Sequence, residues 1–202
     1  KMMFQMLEKL FETLESSSEE EEVDIETLQN VSEMVAAILE IAKDSKETNN
    51  TNYVSVPMDM VSGIFDVLFK CVGGSITRRK DLILSVTEDE DADEEMLEMV
   101  QLAGESEDDF MINIVSAVSW IMKMHGEAFM PLFDSLLFPF INQLLDASNP
   151  PNFFGSAMCW LDDCIEYCGN AAQKYVPKAT ELFLTHTNNE HESVRQSAMY
   201  GL

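Results

Sequence analysis

The sequence predicts an all-α chain of stacked helical hairpins. Ser116-Ala117-Val118-Ser119-Trp120-Ile121 recurs as Ser156-Ala157-Met158-Cys159-Trp160-Leu161 and again as Ser197-Ala198-Met199-Tyr200-Gly201-Leu202, at offsets of 40 and 41 residues. That period marks an array of helical units, none able to bury its apolar face alone. A second marker keeps step: Met130-Pro131 and Val176-Pro177 stand 46 residues apart, and Val56-Pro57 lies 74 residues before Pro131. The excess over one period matches an acidic stretch lying between them. No segment of any length alternates apolar and polar residues as a strand would.

The elements follow in order. Met2 to Leu14 carries apolar residues at 3, 4, 7, 10, 11 and 14, a helical stripe that Ser16 to Glu22 interrupts. Ile25, Leu28, Val31, Val35, Ile38 and Ala42 predict the second helix of that hairpin, and Asp44 to Asn52 a polar loop. Met58 to Val72 forms the next helix, with Pro57 at its start, where a missing N–H costs nothing. Gly73-Gly74 is expected to break or kink it. An acidic insert follows, with a short helix at Met96 to Ala103, and the partner helix resumes near Asp108 and runs to His125. The third hairpin spans Ala128 to Asp146, then about Pro151 to Cys168, with a kink at Pro139. The fourth pairs Ala172 to Thr187 with a helix from Glu190 onward. The chain opens on Lys1 and stops on Leu202 within a helical pattern, as a piece of a longer solenoid would.

Charge and composition narrow the function. The net charge is −25, and 19 of the 37 acids fall in two runs, Glu15 to Glu26 and Glu88 to Asp109, the second without a basic residue. Such a field repels nucleic acid and anionic lipid and attracts basic proteins. No uninterrupted apolar run reaches the roughly 18 residues of a membrane span. Cys71, Cys159, Cys164 and Cys168 fit no zinc spacing and form no CxxC pair, so they read as reduced thiols, with Cys159 off the face that Cys164 and Cys168 share. There is no phosphate loop, HExxH or GxSxG, and His125, His186 and His191 are scattered. No catalytic residue, metal or cofactor is expected.

The helix around Trp160 supplies the candidate site. Helical stepping puts Phe154, Ala157, Met158, Leu161, Cys164, Ile165 and Cys168 on a buried stripe. Asp163 and Glu166 point away from it, Asp162 lies beside them, and Trp160 and Tyr167 flank that acidic side. Trp120 takes the equivalent place one repeat earlier, near Ser116 and Lys123. Exposed aromatic rings beside carboxylates suit a basic peptide, ring on aliphatic stem and carboxylate on charge. The alternative is that both tryptophans are wedged between hairpins. The Ser-Ala pairs are expected to let adjacent helices approach closely.

Asn189-Glu190-His191-Glu192-Ser193-Val194-Arg195-Gln196-Ser197-Ala198 resembles the turn and second-helix start of a HEAT repeat. Trp160-Leu161-Asp162-Asp163-Cys164-Ile165-Glu166-Tyr167-Cys168, with Lys174-Tyr175 and Val194 to Leu202, resembles the later repeats of the karyopherin-beta nuclear import receptors, in their importin five-like branch. An acidic insert in an upstream repeat belongs to that family, and Arg78 through Asp109 is similar in place and charge. The resemblance implies a superhelix of about four HEAT hairpins, at about 1–45, 57–126 with the insert at about 81–107, 128–168 and 172–202. It implies a monomer, shuttling between cytoplasm and nucleus, that binds basic protein cargo and phenylalanine-glycine nucleoporin repeats and releases cargo to Ran-GTP. The helices bearing Trp120, Trp160 and Val194 then line the concave side, and outer grooves between first helices take phenylalanines. Two other readings stay open: a HEAT scaffold of another complex, and an acidic, histone chaperone-like binder.

Overall fold

The computed structural model describes residues 2–18, 24–47, 56–87 and 94–202. The helices are α1 (Met2–Ser18), α2 (Ile25–Glu47), α3 (Met58–Thr87), α4 (Glu94–His125), α5 (Met130–Leu132), α6 (Phe138–Leu144), α7 (Asn152–Tyr167), α8 (Val176–His186) and α9 (Glu192–Tyr200), and no strand occurs among the described residues. The fold is all-α, and its helices pair as HEAT hairpins do: α1 with α2, α3 with α4, α6 with α7, α8 with α9. Successive second helices pack on one another, α2 on α4, α4 on α7 and α7 on α9, while α1 packs on α3 in the other layer. Aromatic rings carry the first-helix layer onward. Phe69 of α3 stacks on Phe140 of α6 at 4.1 Å, and Phe138 meets Tyr175, just before α8, at 4.5 Å.

Proline and glycine place the hairpin ends. Pro131 and Pro177 sit in the first turns of α5 and α8, where no intrahelical N–H is needed. Pro139 cannot donate to the Ser135 carbonyl, and its ring would crowd it. A π-helical turn, Phe133–Leu137, makes the room, so the expected kink takes the form of a widened turn. Gly126 and Gly169, with φ of 57° and 61°, end α4 and α7 in the left-handed conformation that glycine adopts without strain. They are a further periodic pair, 43 residues apart, that the sequence reading did not use.

The described structure departs from expectation around the second hairpin. α3 runs unbroken through Gly73-Gly74 to Thr87, and α4 begins at Glu94, so Met96 to Ala103 is its first part and not a separate helix. Two cross-links hold the long helices together. Buried Glu107 accepts hydrogen bonds from Ser75 (2.6 Å) and Arg78, and Arg79 donates to the Gly104 carbonyl (3.1 Å) and to Asp108. Two glycines cost about 2 kcal/mol of helix propensity, and these cross-links and the buried apolar face of α3 oppose that cost. α2 also continues to Glu47, past the start of the expected loop, while Glu19 to Glu22, Thr48 to Asn52 and Glu88 to Asp93 lie outside the described residues. α3 has no uninterrupted apolar run of membrane-spanning length, since Asp66 and Lys70 break it, yet it is apolar on average. It holds an 18-residue window of mean hydropathy 1.4, enough to cross a membrane by length and composition. Its apolar face, Val61, Ile64, Phe65, Leu68, Cys71 and Val72, is instead buried in the stack.

Candidate protein-binding face

With 3.6 residues per turn, Gly155, Ser156, Cys159, Asp162, Asp163 and Glu166 fall along one side of α7. The structure keeps that side open: Cys159 and Glu166 are exposed, and Asp162 and Asp163 are half-buried. Its first half borders a groove of about 430 Å³ shared by α4, α7 and α9, lined among others by Ser116, Ser156, Ser197, Ile112 and Cys159. The serines of all three hexapeptides meet there, while Ala117, Ala157 and Ala198 are buried beneath. Close approach occurs at Gly155, where an added Cβ would lie 3.1 Å from the Ser197 hydroxyl.

Trp160 does not flank this open side. It is fully buried, donates its indole N–H to the Val115 carbonyl of α4 (3.2 Å), and lies 6.3 Å from the Phe140 ring. Helical stepping fixed its direction within α7 but not that α4 and α6 close over it. The buried stripe shifts accordingly: Phe153 and Trp160 join it, while Phe154 and Ile165 are only half-buried. Trp120 is half-buried, with the Lys43 ammonium of α2 over its ring at 4.5 Å. Tyr167 is half-buried too, with the Lys123 ammonium of α4 at 5.0 Å. Each ring thus carries a lysine from the preceding unit. Lys123 was visible as a neighbour of Trp120 on its own helix, but its aromatic partner sits one unit on.

The carboxylates are electrostatically loaded. Burial pushes the Asp163 pKa up to about 6, with Asp162 and Glu166 adding to the rise and the Ser119 hydroxyl and Lys123 opposing it. The Ser119 hydroxyl sits between the Asp163 carboxylate and the Val115 carbonyl (2.8 Å) and carries one proton for both. Asp162 is raised by burial and by Glu166. Burial, then Asp163 and Glu166, lift the Tyr167 phenol to about 12, so it stays a neutral donor. The face therefore holds concentrated negative charge that an added cation would relieve.

Other acids are committed internally. Asp108 takes Arg79 and the Asn152 amide at the start of α7, tying the second hairpin to the third. Asp134 accepts from Lys174 (2.5 Å) and from the Tyr175 hydroxyl (2.6 Å), joining the third to the fourth. Thus Arg78 and Arg79 neutralise part of the acidic run. Among the described residues, no group of three or more His, Cys, Asp or Glu could hold a metal ion.

Residues 75–147 match the family model Importin repeat 6. The match begins within α3, covers all of α4 and reaches the end of α6. It supports an importin-type repeat region over a little more than a third of the chain, holding the acidic run and Trp120. The family is one of transport receptors, not enzymes.

Proposed function

We propose that this chain is one solenoid segment of a karyopherin-beta nuclear import receptor, importin five-like, with units at about 1–45, 57–126, 128–168 and 172–202. It binds proteins and performs no chemistry. Basic cargo lies along the second-helix face, its cations on Asp162, Glu166 and Asp163 and its stems beside Tyr167 and Trp120. Many charge contacts give fast, salt-sensitive association. The receptor shuttles as a monomer between cytoplasm and nucleus, passes phenylalanine-glycine nucleoporins, and yields cargo when Ran-GTP binds. The observation that carries this reading is the Importin repeat 6 match over 75–147, whose second helix packs directly on the helix bearing the loaded carboxylates.

Pull-down of the full receptor with Ran tests it. Retention of Ran-GTP over Ran-GDP, with loss of bound basic cargo, is expected. Indifference to the nucleotide by a folded receptor, with stable capture of another subunit, would favour a HEAT scaffold of another complex.

A further inference from the structure

The two lysine–aromatic pairs have a common build. Lys43 reaches from α2 to Trp120 on α4, and Lys123 from α4 to Tyr167 on α7. A carboxylate attends each: Asp44 lies 2.5 Å from the Lys43 ammonium, and Lys123 offsets part of the charge on Asp163. Ammonium over ring with carboxylate alongside is also the arrangement a bound basic peptide would make. We propose that Lys43 and Lys123 are resident ligands of this face, and that a basic partner binds by displacing Lys123 from Tyr167. This rests on reading the face as a site for basic proteins.

Lys123 is the displaceable one. Lys43 is only 8% exposed, whereas Lys123 is half-buried and its ring stands on the open acidic side. The consequence is selectivity. An isolated lysine that replaces Lys123 exchanges one ammonium for another and releases a cation that must then be rehydrated. It gains almost nothing. A partner with several neighbouring cations displaces Lys123 with one and places the rest on Asp162 and Glu166. Arginine has a further advantage, because its guanidinium stacks on rings and is less strongly hydrated than ammonium. The face therefore discriminates against singly charged segments and favours clustered or arginine-rich ones.

The test measures tetralysine and tetra-arginine peptides binding to the 202-residue chain at low salt, with Lys123→Met and Lys123→Arg variants. Thermal melts verify folding. Met keeps the aliphatic stem and vacates the ring, so tetralysine should bind about threefold to tenfold tighter to Lys123→Met, with a smaller gain for tetra-arginine. Lys123→Arg should bind tetralysine more weakly than the parent. Binding by the parent with equal or lower affinity for folded Lys123→Met overturns the inference and leaves the face standing as a basic-peptide site. No binding by the parent or either variant overturns both. Binding that appears only in Lys123→Met supports it as full occlusion.

Discussion

Asp163→Asn should stabilise the chain at about pH 7.5 and leave it nearly unchanged at about pH 3, below the unfolded-state pKa. The carboxyl has a folded-state pKa of about 6 against an ordinary value of 3.8, so the folded state holds the proton more tightly than the unfolded chain does. For a carboxyl shifted this way, stability is fullest where the group is protonated. It falls as the pH rises from about 4 to about 6, then levels off. Each tenfold change in proton affinity is worth about 1.36 kcal/mol, which puts the upper limit near 3 kcal/mol. Partial exposure and the nearby Lys123 reduce the expected gain to about 1–2 kcal/mol. Asparagine is isosteric, neutral at both pH values, and keeps a hydrogen bond with Ser119. Urea denaturation of parent and variant, followed by far-UV circular dichroism at both pH values, reads the effect of Asp163 together with the relief its removal gives Asp162 and Glu166, while distant carboxylates cancel in the difference. A loss of stability at about pH 7.5, or the same gain at both values, would refute the reasoning.

Three further outcomes follow from burial and contacts. Trp160→Ala should cost about 3–5 kcal/mol in denaturant unfolding, because the ring is fully buried and its N–H is paired; a cost under about 1 kcal/mol would mean an open ring. Glu107→Ala strips Ser75 and Arg78 of their buried acceptor and should cost about 2 kcal/mol, with amide-exchange protection lost over residues 94–106; unchanged protection would mean that other contacts hold the start of α4. Cys159 alone should be alkylated in the folded chain, since Cys71, Cys164 and Cys168 are buried. It should react more slowly than in urea, because the protein packed around the thiol, and then the Asp163 charge, raise its pKa even though its side chain reaches solvent; labelling of Cys164 before Cys159, read by mass spectrometry, would contradict this.

The hairpin order was legible because proline and small-residue markers act locally. Pro131 and Pro177 are favoured in a helix's first turn, and a buried alanine recurs at 117, 157 and 198 because neighbouring second helices meet there. The fate of Gly73-Gly74 was not legible. Glycine weakens a helix but does not forbid one, and the side chains that hold α3 to α4 stand as far along the chain as Glu107 and Asp108. The candidate face was half legible. Asp162, Asp163 and Glu166 lie on the open side that helical stepping gave them, since that depends only on α7. The cover over Trp160 and the lysines over Trp120 and Tyr167 come from other units, and spacing within one helix carries no information about them.

Nuclear magnetic resonance mapping of a tetra-arginine peptide on the isotopically labelled chain tests most directly where a basic protein segment sits. Perturbations should cluster on α4 and α7 around Asp162, Glu166 and Tyr167, and fade as salt is raised. Changes confined to the run from Glu88 to Asp109 would instead give the binding to the acidic segment itself, as in a chaperone-like protein, and would contradict the placement of cargo on the second-helix layer.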